Sequence, residues 1–327
     1  MPVSALPGFR CAELWPTATG LGVGLVADAV LGDPRRGHPV AGFGTLAAAV
    51  ERRVHLDSRA AGAAYAGSLT AGAVLLGSAA LAVTRKRPVC RAAVTALATW
   101  TVVGGTSLRR EAGTMSALLQ DGEVDGARDR LSHLCGRDPS ALDAAGLARA
   151  TVESVAENTS DAVVGPLLWG VLAGVPGLLA YRAVNTLDAM VGHRSPRYVR
   201  FGWAAARTDD VLNLLPARLC AALAVVGAPL VGGRRSAARA AWRRDGRKHP
   251  SPNAGPVEAA FAGALGRTLG GRLAYAGRVE ERPLLGDGPS PGVADIARAA
   301  RLSAAVSGSA GVLAVGVRAA LDCRAAR

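Results

Sequence analysis

Residues 60–84 run for 25 positions without a charged side chain. A helix crosses a hydrocarbon core with about 20 apolar residues and rarely with fewer than about 17. That segment is therefore expected to span a bilayer, and few soluble folds could house it. Residues 92–108 (17 uncharged positions) and 162–181 (20) also reach the limit. Three shorter runs, 14–27, 219–233 and 302–317, reach it only if their helices continue past a flanking charge. Half of the chain is hydrophobic and 19% is charged. Those values exclude disorder and favour one all-α, multi-pass membrane bundle over two soluble domains. The runs are rich in Ala and Gly, which let helices approach closely in lipid, as at Gly170-x-x-x-Gly174. Residues 109–160 are the most soluble part, read as an insertion of two or three helices punctuated by Gly122, Gly136 and Pro139.

The formal net charge of +13 comes mostly from arginine, while aromatic residues make up only 4%. Without stacking platforms among the cations, nucleic acid is not an expected partner. Positive charge beside membrane spans suits anionic lipid or an anionic substrate instead. The cysteines (Cys11, Cys90, Cys135, Cys220, Cys323) are scattered, with no C-x-x-C pair. That pattern fits neither a zinc site nor a disulfide framework. The first apolar run contains Asp28 and leads directly into GDPRRGHP, so it reads as a retained helix rather than a cleaved signal. Gly20, Gly22 and Gly24 follow no strand of the kind a dinucleotide-binding loop needs, and are assigned to helix packing.

The run 162–181 differs from the others in its flanks. Asn158 and Asp161 precede it, and Asn185 and Asp188 follow. Spanning helices more often end in Lys, Arg, Trp or Tyr. Pro166, Gly174, Pro176 and Gly177 argue against one straight helix, and GVPG reads as a helix end followed by a proline-led start. The two arms, 161–174 and 176–188, are nearly equal in length. At 1.5 Å per residue each measures about 18–20 Å, short of a core of about 30 Å. Broken backbone at membrane depth is tolerated where it is buried in protein or lines a cavity. The expectation is a re-entrant helical hairpin folded at GVPG, with Asp161 returned beside Asn185 and Asp188. The alternative is one kinked span with the polar clusters on opposite sides.

Several polar groups could carry chemistry. Glu153, Glu157 and Asp161 are spaced to align on one helical face, which like charges disfavour unless a cation sits among them. NTLD sets Asn185 and Asp188 on one face, and RTDDVLN carries Asp209, Asp210 and Asn213. Mg²⁺ typically takes one or two carboxylates with phosphate oxygens and water, so these acids suit a Mg²⁺–phosphate site. RDGRKHPSPN supplies Arg244, Arg247, Lys248 and His249, then a proline-fixed loop with Ser251 and Asn253. Such donors suit a phosphate or a polycarboxylate, and His249 has the residue type of a base near neutral pH. GDPRRGHPV offers Asp33, Arg35, Arg36 and His38, with Pro34 and Pro39 fixing its backbone. Each group also has a plainer reading: an Arg149–Glu153 pair, an N-terminal cap for a helix at Leu212, or a cytoplasmic basic loop.

GDPRRGHPV, ATVESVAENTSD, AYRAVNTLDAMVGHRSPRYVRFGWAAARTDDVLNLLPARL, KHPSPNAGPVEAAFAGALG and YAGRVEERPLLGDG stand in this order between Leu21 and Gly288. Together they resemble the adenosylcobinamide-phosphate synthase family, integral-membrane proteins of cobalamin biosynthesis, and the likeness is weak only through residues 45–140. The family is itself distantly similar to a regulatory membrane protein linked to β-lactamase induction. Ala162 departs from the pattern, where glycine is expected after the aspartate. The resemblance implies a multi-pass protein of the cell membrane that joins a carboxylate of adenosylcobyric acid to (R)-1-amino-2-propanol or its O-phosphate. ATP is then the co-substrate and Mg²⁺ the cofactor, and other membrane or cytoplasmic cobalamin-assembly enzymes are the partners. The resemblance marks these motifs without giving each residue's role; from the residue types themselves, Asp161, Asp188, Asp209 and Asp210 are assigned to metal, with Asp161, Asp188, Lys248 and His249 at the chemistry. Asn158, Asn185, Asn213, Arg247, Ser251, Asn253, Asp33 and His38 are assigned to substrate and phosphate.

Two other readings stay open. A membrane prenyltransferase binds diphosphate through paired acid motifs that NTLD and DDVLN imitate, each with one acid fewer. A non-catalytic partner or transporter would hold the corrinoid without consuming ATP. Topology also conflicts, because the positive-inside rule puts RKRPVCR and RRSAARAAWRRDGRK in the cytoplasm. If 212–233 spans and the hairpin does not, the acid clusters then fall on the opposite side.

Overall fold

The computed structural model describes residues 15–34, 37–136, 138–275 and 278–325. Helices dominate: α1 (Pro16–Leu31), α2 (Pro39–Val54), α3 (Arg59–Val83), α4 (Pro88–Val102), α5 (Gly105–Gln120), α6 (Val124–Leu131) and α7 (Ala144–Thr159). A π-turn (Ser160–Val164) leads into α8 (Gly165–Val191), followed by α9 (Trp203–Leu212) and α10 (Leu214–Gly227). A 3₁₀ turn (Ala228–Val231), α11 (Arg235–Asp245) and α12 (Ala254–Leu265) come next. The chain then forms a two-stranded antiparallel hairpin, β1 (Leu269–Tyr275) with β2 (Arg278–Leu285), and ends in α13 (Val293–Ala325). This hairpin is the departure from an otherwise all-α expectation. Among the described residues, four helical stretches are long and apolar enough to cross a membrane: Arg59–Val83, Ala144–Val191, Leu214–Val231 and Val293–Arg324.

The chain divides into two compact units. The first comprises residues up to Gly104, Gly165–Leu212 and the chain from Gly311. Proline at the first helical turn starts α1, α2 and α4, where its missing N–H costs nothing and its fixed φ suits the helix. Helix α1 packs along α4 through glycine: Gly20 and Gly24 leave room for Thr95 and Thr99, so these glycines serve packing as expected. Asp322 accepts from the amides of Thr17 and Ala18 and so caps α1, while Arg318 bridges Asp322 (2.9 Å) to the Val171 carbonyl (2.9 Å).

Helix α8 is two helices. Gly174 has φ 63° and ψ −144°, and Pro176 lacks the N–H that would continue the ladder. The chain folds back at this point. A Cβ on Gly165 would overlap the Tyr181 hydroxyl, one on Gly170 would come 2.9 Å from Leu178, and one on Gly177 would overlap the Trp169 carbonyl. Those pairs run antiparallel about Gly174, which is the helical hairpin the sequence predicts. The 144–191 stretch is therefore not one straight crossing. Gly174 is the bend itself, and only Gly170 of the Gly170-x-x-x-Gly174 pair packs as a small residue in a helix contact. Gly77 of α3 meets the bend, with Pro176 Cα 2.8 Å from where a Cβ would stand.

One expected span fails. Residues 92–108 do not form one helix, because α4 stops at Val102, Val103 is extended (ψ 130°) and α5 begins at Gly105. The hydroxyls of Thr95, Thr99 and Thr101 bond back to carbonyls of their own helix, a habit that weakens helix continuation, and Gly104–Gly105 adds backbone freedom. Residues 302–317 do extend past their flanking charges, to 33 residues in α13.

The second unit comprises Gly105–Val164 and Asn213–Ala310. Its centre is α12, in which all 12 residues are buried, flanked by α10 and α11. Asp143 caps α7 by accepting from Gly146 N at 2.8 Å, and Gly266 ends α12 at φ 65°.

Candidate active site

In the first unit, the returning arm of α8 faces α9. Arg182 donates to Asn185 Oδ1 (3.3 Å), and Asn185 Nδ2 donates to Asp209 Oδ1 (3.4 Å). Asp188 follows one turn along α8, where its carboxylate occupies the space a side chain at Gly192 would need. Asp210 pairs with Arg207 at 3.3 Å. The connecting loop is held from below: Arg197 donates to Glu51 at 2.7 Å, Tyr198 to the same oxygen at 3.4 Å, and His55 Nε2 meets the Arg197 carbonyl at 3.1 Å. At the start of α2, His38 Nδ1 accepts from Val40 N, and Nε2 lies 4.0 Å from Asp33. Arg35 and Arg36 lie outside the described residues.

Asp188, Asp209, Asp210 and the Asn185 amide form a set of hard oxygen donors. Among the described residues no three His, Cys, Asp or Glu side chains converge on a metal-holding point. A complete protein cage is therefore not what these residues build. One or two carboxylates completed by phosphate oxygens and water is the arrangement Mg²⁺ commonly takes, and this set fits it.

In the second unit the basic loop is organised by a buried acid. Asp245, 2% exposed, accepts from Arg244 at 2.9 and 2.6 Å, from Lys248 Nζ at 2.8 Å and from Gly286 N at 2.9 Å. Those partners hold its carboxyl well below the usual range, the Arg244 guanidinium contributing most, against the cost of burial. Arg244 also reaches Asp287 at 2.8 Å, so the start of KHPSPN and the GDG turn share one anchor. Lys248 is thereby tethered through its ammonium, with about half of its side chain exposed, and Arg247 stands exposed beside it.

His249 is buried. Its Nδ1 accepts from Ser251 N at 3.0 Å, Arg282 approaches Nε2 at 3.0 Å, and Glu258 lies 3.9 Å away. Burial, with the Arg282 charge second, lowers its pKa to about 4, against a smaller opposing effect of Ser251. The imidazole is therefore neutral at pH 7, and its contacts fix the loop. Ser251 Oγ accepts from Asn253 N (3.3 Å) and Ala254 N (3.2 Å), starting α12. Arg218 ties Asn253 Oδ1 (3.2 Å) and the Pro252 carbonyl (3.3 Å) to α10.

The π-turn carries Asp161. Such single wide turns inside helices recur at functional sites. Asn158 is turned to its own helix, donating to the Ser154 carbonyl (2.9 Å) and hydroxyl (3.1 Å). Asn213 is buried at the start of α10, where the Ala217 amide bonds its carbonyl. The Glu153–Glu157–Asp161 stripe does not share one environment. Glu153 is buried and accepts from Gly270 N at 2.7 Å, whereas Glu157 is exposed. A carboxylate held by a backbone amide explains its burial better than a shared cation does.

A family model described as CobD/Cbib protein matches residues 21–303. The chain belongs to the CobD/Cbib family. Its similarity to curated family members is extensive. It is 54% identical over 306 residues to the cobalamin biosynthesis protein CobD of Mycobacterium tuberculosis, covering 93% of this chain and 97% of that one. Against the protein of the same name from Chromobacterium violaceum the identity is 44% over 291 residues, 88% and 92% of the two chains. Against that of Geobacter metallireducens it is 43% over 277 residues, 82% and 86%. No solved structure matches. As a CobD/Cbib member, the chain has a role in cobalamin biosynthesis and carries helices suited to a membrane.

Asp245, Glu258 and Glu51 are the residues that spacing alone does not single out. Asp245 stands in RRDGRK among four basic neighbours, and a lone acid in such a run is the one available signal.

Proposed function

We propose that this CobD/Cbib member forms an amide bond between adenosylcobyric acid and (R)-1-amino-2-propanol or its O-phosphate, at the expense of ATP. The observation that carries this reading is the Asp245 anchor, which presents Lys248 and Arg247 from a rigid loop. A carboxylate is unreactive toward amines until an oxygen is made a leaving group. Transfer of the γ-phosphoryl group from ATP to the carboxylate gives an acyl phosphate and ADP. The amine nitrogen then attacks the carbonyl carbon, the C–O bond to phosphate breaks, and the amine loses a proton. Preorganised cations act where charge develops on the phosphoryl oxygens, a role assigned to Lys248 and Arg247. His249 holds Ser251 and the KHPSPN backbone, and is removed from proton transfer by its burial and its low pKa. Mg²⁺ would be held by one or two carboxylates of the first unit, Asp188 and Asp209, and would supply charge neutralisation for the triphosphate. Asn185 and Asn253 orient phosphate or substrate oxygens.

The test is purified protein in detergent with adenosylcobyric acid, aminopropanol phosphate, ATP and Mg²⁺, read by mass spectrometry. Amide product and ADP in equal amounts, absent without ATP, support the synthase. Tight corrinoid binding without ATP consumption would support a non-catalytic partner instead.

A further inference from the structure

We infer that the arginine-rich face formed by residues 51–59 and 193–207 of the first unit binds the phosphate of an anionic membrane lipid. The inference rests on the membrane-spanning reading of α3 and is independent of the reaction proposed above.

The two segments form one surface. Arg59 lies over the Trp203 ring at 5.3 Å, Arg200 is 3.5 Å from Asp57, and Arg197 reaches Glu51 at 2.7 Å. His193 stacks edge-on against Tyr198 at 4.9 Å, which brings the start of the loop to the same place. These segments hold seven arginines (Arg52, Arg53, Arg59, Arg194, Arg197, Arg200, Arg207) against two acids, Glu51 and Asp57, a net charge of +5.

Its level is set by α3. Arg59 is the first residue of that 25-residue apolar helix, so the surface lies where the hydrocarbon begins. Apolar side chains stand exposed among the arginines: Leu56 at 65%, Val199 at 54% and Trp203 at 43%. Facing water, this mixture would leave apolar area unburied. At a bilayer surface the apolar side chains enter the acyl boundary, the indole sits at headgroup depth, and the guanidiniums meet phosphates. Arginine's planar fork pairs with two phosphate oxygens at once. The loop is also preorganised, since Glu51 holds Arg197 from inside while over half of that side chain stays exposed. Charge complementarity and the level of the patch therefore favour a lipid phosphate over a soluble anion.

The test is native mass spectrometry of the full-length protein in detergent, titrated with dioleoyl phosphatidylglycerol or dioleoyl phosphatidylcholine. The variant Arg194→Gln/Arg200→Gln changes two exposed side chains, and Arg239→Gln/Arg243→Gln on α11 is the control. Wild type and control are expected to retain phosphatidylglycerol in preference, and the patch variant to bind it about thirtyfold more weakly, given the usual strength of two arginines near an anionic surface. Equal retention of the two lipids, or a patch variant that binds like wild type, overturns the inference. So does displacement of the phosphatidylglycerol by millimolar inorganic phosphate, which would make this a soluble-anion site. Circular dichroism of the patch variant separates lost binding from lost fold.

Discussion

Gly165 and Tyr181 touch across the helical hairpin, although 16 residues separate them in sequence. In a straight helix they would stand about 24 Å apart. The contact follows from Gly174, whose φ of 63° with ψ −144° is a conformation only glycine adopts readily, and from Pro176, which begins the returning arm.

Gly165→Ala is expected to destabilise the protein by about 1–3 kcal/mol, the usual cost of overpacking. Gly174→Ala should cost a similar amount through backbone strain alone. Thermal unfolding in detergent measures both. Tyr181→Ala combined with Gly165→Ala should cost less than the two single changes added together, because the overlap is with the ring of Tyr181 as well as its hydroxyl. An additive double variant would speak against that contact.

Much of this hairpin is legible in the sequence, since glycine and proline act locally on the backbone. GVPG announces a bend whatever surrounds it. Residues 92–108 mislead for the opposite reason: hydropathy counts apolar positions and is blind to threonines that bond to their own helix and to Gly104–Gly105. The expected acid stripe at Glu153 fails because its partner, the Gly270 amide, is 117 residues away. Long-range pairing of this kind also hides Asp245 with Gly286 and Glu51 with Arg197. The polar motifs are readable as a set, but which of their members hold the loops and which face a substrate is decided by those distant partners.

Acid should loosen the second unit through His249. Its pKa is about 4 in the folded protein against about 6.5 when unfolded, so between those values the unfolded chain binds the extra proton. The stability associated with neutral His249 is complete above about pH 6.5 and is lost as pH falls toward about 4. At pH 5 the loss is about 2 kcal/mol. Unfolding temperatures at neutral pH and at pH 5 measure it, and His249→Gln should show a smaller difference between the two.

Asp245→Ala removes the acceptor shared by Arg244, Lys248 and the Gly286 amide. A loss of about 1.5–3 kcal/mol is expected, the range for hydrogen bonds to a charged group. A fully buried ion pair would cost about 3–5 kcal/mol, but both cations here are half-exposed. Chemical denaturation gives the stability change, and faster proteolysis within residues 245–253 would show that the loop has come loose.

Asp209→Asn keeps the bond from Asn185 and removes the charge assigned to Mg²⁺. The expected result is a raised Mg²⁺ requirement, by about tenfold or more, with unfolding temperature nearly unchanged. Titrating Mg²⁺ at saturating ATP reads this directly. An unchanged Mg²⁺ dependence would move the metal away from α9.

In the proposed function, ATP-driven amide synthesis requires both the acid group on α8 and the basic loop before α12. The most direct measurement follows adenosylcobinamide phosphate and ADP together by mass spectrometry in wild type, Asp188→Ala and Lys248→Ala, each first shown to be folded. Equal yields of both products are expected in wild type, with at least a hundredfold slower formation of both in each variant. Amide formed at the wild-type rate by either folded variant would contradict that requirement.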